Sequence, residues 1–482
     1  MNTQIHSNNE RRAGDWSRRI ARCRVVAVLL FGLAALSGCG SVPNVQQAIN
    51  QSARNDAPPQ LIGAKGLLGA QASKATLDQL RTQAPHSEIL KRNLATEDAL
   101  TESPLVTGNG TQVLHNGTNT FAAMFRAIHG ARHNINLEYY TFEDVVSHGE
   151  HLGDLLLAKR RQRVAVNVIY DSFGSGDTPA AFFAQLKARG VNLVDYNPMD
   201  PLKAKAGYSP DDRDHRKILI VDGRTAIIGG VNLSTNYQVH KFAKSGAIPG
   251  RSHEYTHDTD LQIEGPAVKQ LQLLFVRHWQ AQNGPPLDQA KFFPAISPQG
   301  REVIRIVGST PRDTIPPYYA IMLSAISSAK QHIFIATAYF VPTAEEVDAL
   351  AAAAKRGVDV RLLLPGDSDS DMALRVGRSN YPKLLAGGVK IYETRNEVLH
   401  SKLSVIDGVW TIIGSSNLDH RSVVFNDEVD AIVLGRVTGR QIDRIFYRDF
   451  KQAHQFTIEN WKEPGVDSKI RELFESAWQS QL

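Results

Sequence analysis

The sequence predicts an α/β protein made of two copies of one sandwich domain, which share a single active site at their interface. Two observations support this. The pattern HxKxxxxD occurs at 215–222 and again at 400–407. Around each copy, segments of helical and of strand periodicity follow in the same order. An internal repeat of this length is a domain rather than a solenoid unit, and 482 residues accommodate two such domains.

Each half contains a helix, a strand, a second helix, a second strand and then a hairpin. Helical spacing of apolar residues covers 121–129 and 319–330, and strand-like spacing covers 135–140 and 333–340. Apolar runs typical of buried strands follow at 164–170 and 358–364.

The first half is longer than the second between its last strand and its hairpin. Residues 127–137 resemble 325–335 at an offset of 198, whereas the motif histidines are offset by 185. About 13 extra residues therefore lie between Tyr196 and His215. We expect this charged, proline-rich loop to border the entrance of the site.

The hairpin explains why the motif residues belong together. In a strand, His215 and Lys217 point to the same side, and His400 and Lys402 repeat this arrangement. The aspartate of each motif precedes a glycine, a pair that favours a reversal, so we expect it to shape the turn rather than touch substrate. The candidate catalytic set comprises both complete motifs: His215, Lys217, Asp222, His400, Lys402 and Asp407.

These motifs resemble those of the phospholipase D superfamily, and within it the bacterial cardiolipin synthases, over roughly residues 105–450. The second half also has the synthase-like runs 414–422 (GSSNLDHRS) and 426–428 (NDE), and Gly230 stands where the second copy has Ser415. The resemblance implies phospholipase D-like domains in which His215 forms a phosphohistidine and His400 protonates the leaving alcohol. The near-symmetry of the halves leaves the reverse order open.

The resemblance also implies the supporting residues of the site. Asn232 and Asn417 would bind the phosphate together with the motif lysines, while Asp258 and Glu428 would orient the histidines. This chemistry needs a nucleophile, a proton donor and positive charge, so no cofactor or metal is expected. The zinc-protease pattern HExxH at 253–257 leads into a strand-like alternation rather than a helix, so we expect it to be coincidental.

The implied reaction is transfer of a phosphatidyl group to a second phosphatidylglycerol, with release of glycerol. Phosphatidylethanolamine is an alternative donor, and the sequence does not decide the oligomeric state. A hydrolytic phospholipase D, a nuclease and a non-enzymatic, lipid-binding envelope lipoprotein are the alternatives. Beyond residue 38 the chain has 48 basic and 47 acidic residues, which argues against nucleic acid as a partner and leaves membrane phospholipids and the membrane surface.

The first 39 residues have the pattern of a bacterial lipoprotein signal. Several arginines precede an apolar run at 25–36, which ends in the lipobox-like 36–39 (LSGC). The run is too short to span a bilayer. We expect Cys39 to carry lipid and to anchor the protein in the bacterial envelope facing the periplasm, with the choice of membrane open. An uncleaved anchor is the alternative.

The domain boundaries follow from these patterns. The only cysteines are Cys23 and Cys39, so the mature domains contain no disulfide. The predicted segments are a signal at 1–39, a tether at 40–104 with short helices at 77–82 and 87–94, a first domain at 105–285, a linker at 286–300 and a second domain at 301–482.

Overall fold

Within the part of the chain that the structure describes, two sets of seven strands have the same strand order. This computed structural model describes residues 43–52, 59–200, 202, 208–238, 256–395 and 397–461. The predicted signal at 1–39, with Cys39, lies outside these residues. None of the described helices is both long and apolar enough to cross a bilayer.

The elements up to the end of the first half are α1 (Gln46–Ser52), β1 (Leu61–Gly63), β2 (Gly66–Leu67), α2 (Ala70–Gln83), α3 (Ile89–Leu100), β3 (Leu105–His115), α4 (Gly117–Gly130), β4 (Asn134–Tyr139), β5 (Val146–Ser147), β6 (Glu150–His151), α5 (Leu152–Arg161), β7 (Ala165–Asp171), α6 (Ala180–Ala188), β8 (Asn192–Tyr196), β9 (Arg213–Asp214), β10 (Lys217–Val221), β11 (Thr225–Gly229), β12 (Thr256–His257), β13 (Thr259–Glu264) and α7 (Val268–Ala281).

The elements of the second half are β14 (Glu302–Ser309), α8 (Pro317–Ser328), β15 (His332–Ala336), α9 (Ala344–Lys355), β16 (Asp359–Leu364), α10 (Asp371–Ser379), α11 (Tyr381–Ala386), β17 (Lys390–Glu393), β18 (Val398–Leu399), β19 (Leu403–Ile406), β20 (Trp410–Gly414), α12 (His420–Val424), β21 (Asn426–Leu434), α13 (Arg436–Gln452) and β22 (His454–Phe456).

Seven strands of each sheet repeat each other, and the second sheet is extended by β22 beside β17. The first has the order β8-β7-β4-β10-β11-β13-β3, in which β4, β7 and β8 are parallel and the other neighbours antiparallel. The second has the order β17-β16-β15-β19-β20-β21-β14 with the same directions. Strand β3 belongs to both sheets, because residues 110–115 pair with β13 and residues 106–109 with β14. The predicted duplicated α/β sandwich is confirmed.

The inner faces of the two sheets share one hydrophobic core. A single buried cluster combines Ile228 of β11 with Val405 of β19, and it also takes in Phe275 of α7 and Phe446 of α13. The outer face of the first sheet is covered by α4 and α5, and that of the second by α8 and α9. The interface that carries the site is therefore itself part of the core.

The predicted strands and helices of the repeat are present, with shifted ends. The strand predicted at 333–340 is too long, because the chain leaves the sheet after β15. There the Thr337 hydroxyl donates to the carbonyl of Tyr339 at 2.8 Å and accepts from the N–H of Leu418 at 3.1 Å. A threonine side chain thus replaces the strand pairing at this point.

The segment before β3 packs on the second half, where the sequence predicted a tether. Leu77 of α2 and Leu94 of α3 are 2% and 1% exposed and lie in the same cluster as α8. Glu97 lies 3.0 Å from Nε of Arg305 and accepts a hydrogen bond from Trp410 Nε1 at 2.9 Å. Apolar residues at helical spacing here bury against α8, so the described part of this segment forms an additional layer rather than a free spacer.

The segment predicted as a linker is also packed. Residues 286–300 include a short 3-10 helix, Gln289–Lys291, and Phe292 is 2% exposed within the inner core. The N–H of Gln299 donates to the carbonyl of Gly108 at 2.8 Å. The connection between the halves is therefore held along β3.

The packed N-terminal layer is open to a direct test. We expect Leu94→Ala to lower the free energy of unfolding by about 2–5 kcal/mol, because it leaves a cavity in the core of the second half. Chemical denaturation would measure the change. Lys91→Ala, an exposed substitution on the same helix, should alter stability by less than about 0.5 kcal/mol. Equal, small effects of both substitutions would show that α3 does not contribute to the core.

Candidate active site

Each motif histidine lies where a short strand pairs with the opposite half. Strand β9, just before His215, is parallel to the start of β21, and β18, just before His400, is parallel to β12. The N–H of His215 donates to the carbonyl of Asp427 at 2.9 Å, and that of His400 to the carbonyl of His257 at 2.8 Å. Asp427 and His257 each precede a predicted orienting carboxylate. The two halves thus position each other's site residues.

Each imidazole binds a carboxylate from the other half. Nδ1 of His215 lies 2.9 and 3.0 Å from the two oxygens of Glu428. Nδ1 of His400 lies 2.8 Å from Oδ2 of Asp258. The sequence predicted both acids but not which ring each one serves. A carboxylate at Nδ1 holds the hydrogen on that nitrogen and leaves Nε2 of the same ring for chemistry.

The surroundings of the two carboxylates explain why Gly230 and Ser415 differ. Ser415 donates its hydroxyl to Oε2 of Glu428, and Asn426 Nδ2 donates to Oε1 at 3.1 Å. In the first half, a Cβ at Gly230 would lie 2.2 Å from Oδ1 of Asp258. A serine fits beside the glutamate, whereas the aspartate requires glycine.

The motif lysines are buried beside the histidines. Lys217 Nζ donates to the carbonyl of His215 at 2.6 Å, and Lys402 Nζ to that of His400 at 2.5 Å. Burial lowers the pKa of Lys217 to about 7, and the charge of Glu428 acts in the opposite direction. Burial likewise lowers the pKa of Lys402 to about 8. Two ammonium groups with little water around them are suited to bind an anionic phosphate.

Burial also favours the neutral form of both imidazoles. Burial lowers the pKa of His215 well below its usual value, and the charges of Lys217 and Lys402 lower it further. Burial also lowers the pKa of His400, and the charge of Lys402 lowers it further, while the hydrogen bond to Asp258 raises it. A bound phosphate anion would raise both pKa values, because it stabilises an imidazolium.

The predicted phosphate-binding asparagines follow β11 and β20. Asn232 Oδ1 accepts from the N–H of Thr141 at 3.3 Å, and the N–H of Asn417 donates to the hydroxyl of Ser422 at 3.0 Å. Asn417 Oδ1 is buried and has no hydrogen-bond partner among the described residues. These contacts hold the asparagines in place beside the histidine strands.

Two acids that the sequence analysis did not single out shape the turns before these asparagines. A Cβ at Gly229 would lie 2.1 Å from Oδ1 of Asp260, and a Cβ at Gly414 would lie 2.1 Å from Oδ1 of Asp430. Asp260 accepts from the N–H of Val231 at 3.0 Å. Burial raises the pKa of Asp430 to about 8 and that of Asp260 well above its usual value. The space left by each glycine is thus occupied by an aspartate side chain rather than by a ligand. Asp260 and Asp430 each lie two residues after an acid that the sequence analysis did select. Because strand alternation places residues two apart on the same face, this spacing could have identified them.

The motif aspartates lie at the opposite ends of β10 and β19 from the histidines. Asp222 and Asp407 have positive φ values of 52° and 53°. Asp222 accepts from the N–H groups of 132–134, and Asp407 from those of 330–332. They shape the turns, as expected for their position in the sequence. The groups gathered at the site are thus the histidines and lysines, without the two aspartates of the candidate catalytic set.

The extra loop of the first half ends beside the site. The carbonyl of Asp211 accepts from Arg421 Nη2 at 3.1 Å, and the N–H of Arg213 donates to the carbonyl of Phe425 at 3.1 Å. The charge of Arg421 is among those that lower the pKa of His215. The described end of this loop, from residue 208 onward, is held against the second half close to the motif histidines.

Comparisons with known proteins agree with this geometry. Residues 124–244 and 322–450 match the family described as "Cardiolipin synthase, PLD-like domain". A cardiolipin synthase of Geobacillus kaustophilus (strain HTA426) is 33% identical over 396 residues, which are 81% of this chain and 75% of that protein. A cardiolipin synthase of Geobacillus thermodenitrificans (strain NG80-2) is 34% identical over 377 residues, which are 77% of this chain and 71% of that protein.

The chain belongs to the phospholipase D superfamily. A solved structure, the phosphatidylserine synthase of Haemophilus influenzae Rd KW20, has the same fold, with a TM-score of 0.61 at 12% identity over 81% of this chain and 100% of that one. Within the superfamily the chain is similar to cardiolipin synthases, and it is an enzyme of the phospholipase D type that transfers phosphatidyl groups. Its substrates are phospholipids, and purely hydrolytic activity is not favoured.

Arg216, next to His215, links the two halves of the chain. Its Nη1 binds Oε1 of Glu138 at 3.1 Å, and its Nη2 binds Oδ1 of Asp427 at 3.2 Å. Glu138, Asp214 and His278 each place one possible metal-ligand atom within 4.8 Å of the others. Of the described residues, these three could hold a metal, although Glu138 already accepts the guanidinium. Asp214 and Arg216 flank His215 in the sequence, but their contacts with Glu138, His278 and Asp427 join distant parts of the chain, and no local pattern indicates them.

The HExxH pattern falls partly outside the described residues, because His253 and Glu254 are not among them. His257 is described, and it ends strand β12 rather than lying on a helix. Its Nδ1 is 3.0 Å from Oε1 of Glu397. This histidine thus supports the pairing of β12 with β18.

The lowered lysine pKa values predict the alkaline behaviour of the phospholipase D-type site. Each lysine is charged below its pKa, so kcat/KM for a phosphodiester should fall as the pH rises through about 7 for Lys217 and about 8 for Lys402. The measurement is the pH dependence of initial rates. Lys402→Arg keeps its charge and should lose the step near pH 8, at a lower overall rate. A kcat/KM that rises steadily across this range would contradict the assignment.

Proposed function

We propose that this protein synthesises cardiolipin from two molecules of phosphatidylglycerol and releases glycerol. The proposal rests on the crossed pairing between the two halves, in which His215 of the first half binds Glu428 of the second and His400 of the second binds Asp258 of the first. That arrangement leaves two Nε2 atoms, one from each half, for one phosphate. The relatives named cardiolipin synthase support the choice of substrate. Phosphatidylethanolamine is the alternative donor.

The first displacement forms a covalent intermediate. Nε2 of His215 attacks phosphorus, the bond from phosphorus to the glycerol oxygen breaks, and Nε2 of His400 gives its proton to that oxygen. Lys217 and Lys402, with the asparagines after β11 and β20, hold the non-bridging oxygens. Their charge-assisted hydrogen bonds strengthen as negative charge accumulates in the transition state.

The second displacement repeats the first in reverse. His400 takes the proton from a hydroxyl of the second phosphatidylglycerol, whose oxygen attacks phosphorus while the bond to His215 breaks. Because the bond made and the bond broken are alike, concentrations decide the direction. Water in place of the second lipid would give phosphatidic acid, so the site has to favour the lipid hydroxyl.

Phosphatidylglycerol vesicles test the reaction. The purified protein should form cardiolipin and glycerol in equal amounts, and His215→Ala or His400→Ala should each lower the rate by at least about 10²–10⁴-fold. Chromatography of lipids and an enzymatic glycerol assay measure both products. His129→Ala, an exposed histidine paired with Glu150, should change the rate by less than about twofold.

The products also separate the alternatives. Phosphatidic acid as the main product would replace the synthase with a hydrolytic phospholipase D. Lipid binding without turnover would favour a lipid-binding lipoprotein. Cleavage of DNA at a comparable rate would favour a nuclease.

We also propose that the enzyme works at the bacterial envelope as a lipoprotein facing the periplasm. The support is the run of arginines, apolar residues and lipobox that ends at Cys39. A lipid anchor would keep the site close to a bilayer of its substrate. The choice between the inner and outer membrane is left to fractionation of the two membranes.

Labelling of the anchor tests this location. Cys39→Ser should abolish incorporation of labelled palmitate and move the protein from the membrane to the soluble periplasmic fraction, because the acyl chains are lost. Cys23→Ser is the matched control and should keep the label. If the Cys39→Ser protein still sediments with membranes, the segment is an uncleaved anchor.

A further inference from the structure

The two halves of the site also differ where Tyr237 touches His400. Leu233 forms an isolated bridge to Phe142 after β4, and Leu418 forms one to Phe340 after β15, so the two leucines occupy equivalent positions. Four residues further on, Tyr237 of the first half corresponds to Ser422 of the second. A buried phenol therefore lies where the other half has only a small hydroxyl group.

Tyr237 is held firmly against His400. It ends the 3-10 helix Thr235–Tyr237 and is 5% exposed. Its hydroxyl is 2.9 Å from Nδ1 of His400, and the two rings meet edge to face, with centroids 5.8 Å apart and planes at 79°. A Cβ at Gly117 would lie 2.3 Å from the carbonyl oxygen of Tyr237, which shows how closely α4 confines this turn.

The contact makes the two imidazoles chemically unequal. Nδ1 of His400 lies 2.8 Å from Oδ2 of Asp258 and 2.9 Å from the hydroxyl oxygen of Tyr237, and Lys402 Nζ is also 2.8 Å away. Nδ1 of His215 lies instead against both oxygens of Glu428.

A ring that gives a proton from Nε2 has to be the imidazolium, which carries hydrogen on both ring nitrogens and needs an acceptor at Nδ1. At His400 the oxygens of Asp258 and Tyr237 both lie where they accept from that Nδ1–H. At His215 the acceptor is Glu428, whose oxygens already accept from Ser415 and Asn426. The surroundings thus favour an imidazolium at His400 and, at His215, a neutral ring with a free lone pair on Nε2, as a nucleophile requires.

We propose that Tyr237 is a positioning residue that reserves His400 for proton transfer and so leaves His215 to attack phosphorus. This inference rests on the two-step phosphatidyl transfer proposed above. In the first step, the proton that reaches the glycerol oxygen comes from Nε2 of His400, and Tyr237 keeps its own. Burial, followed by the charge of Asp258, raises the pKa of Tyr237 well above its usual value, so the phenol stays protonated.

Two donors with different leaving groups test the role of Tyr237. With phosphatidylglycerol, Tyr237→Phe should lower kcat about 10- to 100-fold, with KM changed by less than about threefold, because the leaving alkoxide needs a proton from His400. With phosphatidyl-p-nitrophenol, the first release of p-nitrophenolate should change by less than about threefold, because this group leaves without a proton.

The second step gives an independent readout. An attacking lipid hydroxyl still needs His400 as its base, so Tyr237→Phe should show a burst of p-nitrophenolate followed by slow turnover. Phosphatidyl-His215 should then accumulate and be visible by mass spectrometry of peptides. In a His400→Ala background, adding Tyr237→Phe should change either rate by less than about twofold, since the two residues act through one ring.

Tyr381→Phe is the matched control, because it removes a buried hydroxyl that donates to Glu393 at 2.9 Å away from the histidines. It should leave both substrates' rates within about twofold of wild type. Equal losses on both substrates, no loss with phosphatidylglycerol, or unfolding of Tyr237→Phe at the assay temperature would each overturn the proposal. If the wild type makes phosphatidic acid instead of cardiolipin, only the synthase function fails, and the comparison of leaving groups still decides the role of Tyr237.

Discussion

The candidate active site depends on one constraint, that each motif histidine takes its carboxylate from the opposite half of the chain. His215 with Glu428 and His400 with Asp258 satisfy it through two short parallel ribbons, β9 with β21 and β12 with β18. Neither half alone has a ring with its acid. Pairing of the halves therefore assembles the chemistry at the same time as it buries the inner core.

This arrangement concentrates charge where water is scarce. The ammonium groups of Lys217 and Lys402 and the carboxylates of Asp258 and Glu428 are almost fully buried around the two rings. Burying isolated charges destabilises a protein, whereas charges that are paired and hydrogen-bonded are tolerated. The site thus gives up some stability to hold two ammonium groups and two carboxylates in a fixed arrangement around the rings, and the cores on both sides of the sheets supply the stability that it lacks.

Much of this could be predicted from the sequence, and the physical nature of the rest explains why it could not. The repeat is visible as a pattern that occurs twice, and strand alternation places each motif histidine on the same side as its lysine. The asparagines and the two orienting acids follow from the resemblance to the phospholipase D superfamily. The crossing of Asp258 and Glu428, and the contacts of Tyr237, join residues far apart in the chain, and no local pattern encodes such contacts. Local periodicity predicts short helices before β3, but it cannot show that their few apolar residues pack against α8.

Strand β3 has a further consequence for how the two halves are held together. It is hydrogen-bonded to β13 along one part of its length and to β14 along the other, so a continuous stretch of backbone crosses from sheet to sheet. Separation of the two halves would therefore break backbone hydrogen bonds of β3 as well as the contacts between the histidines and their carboxylates. The backbone itself thus contributes to keeping the two motif hairpins in register.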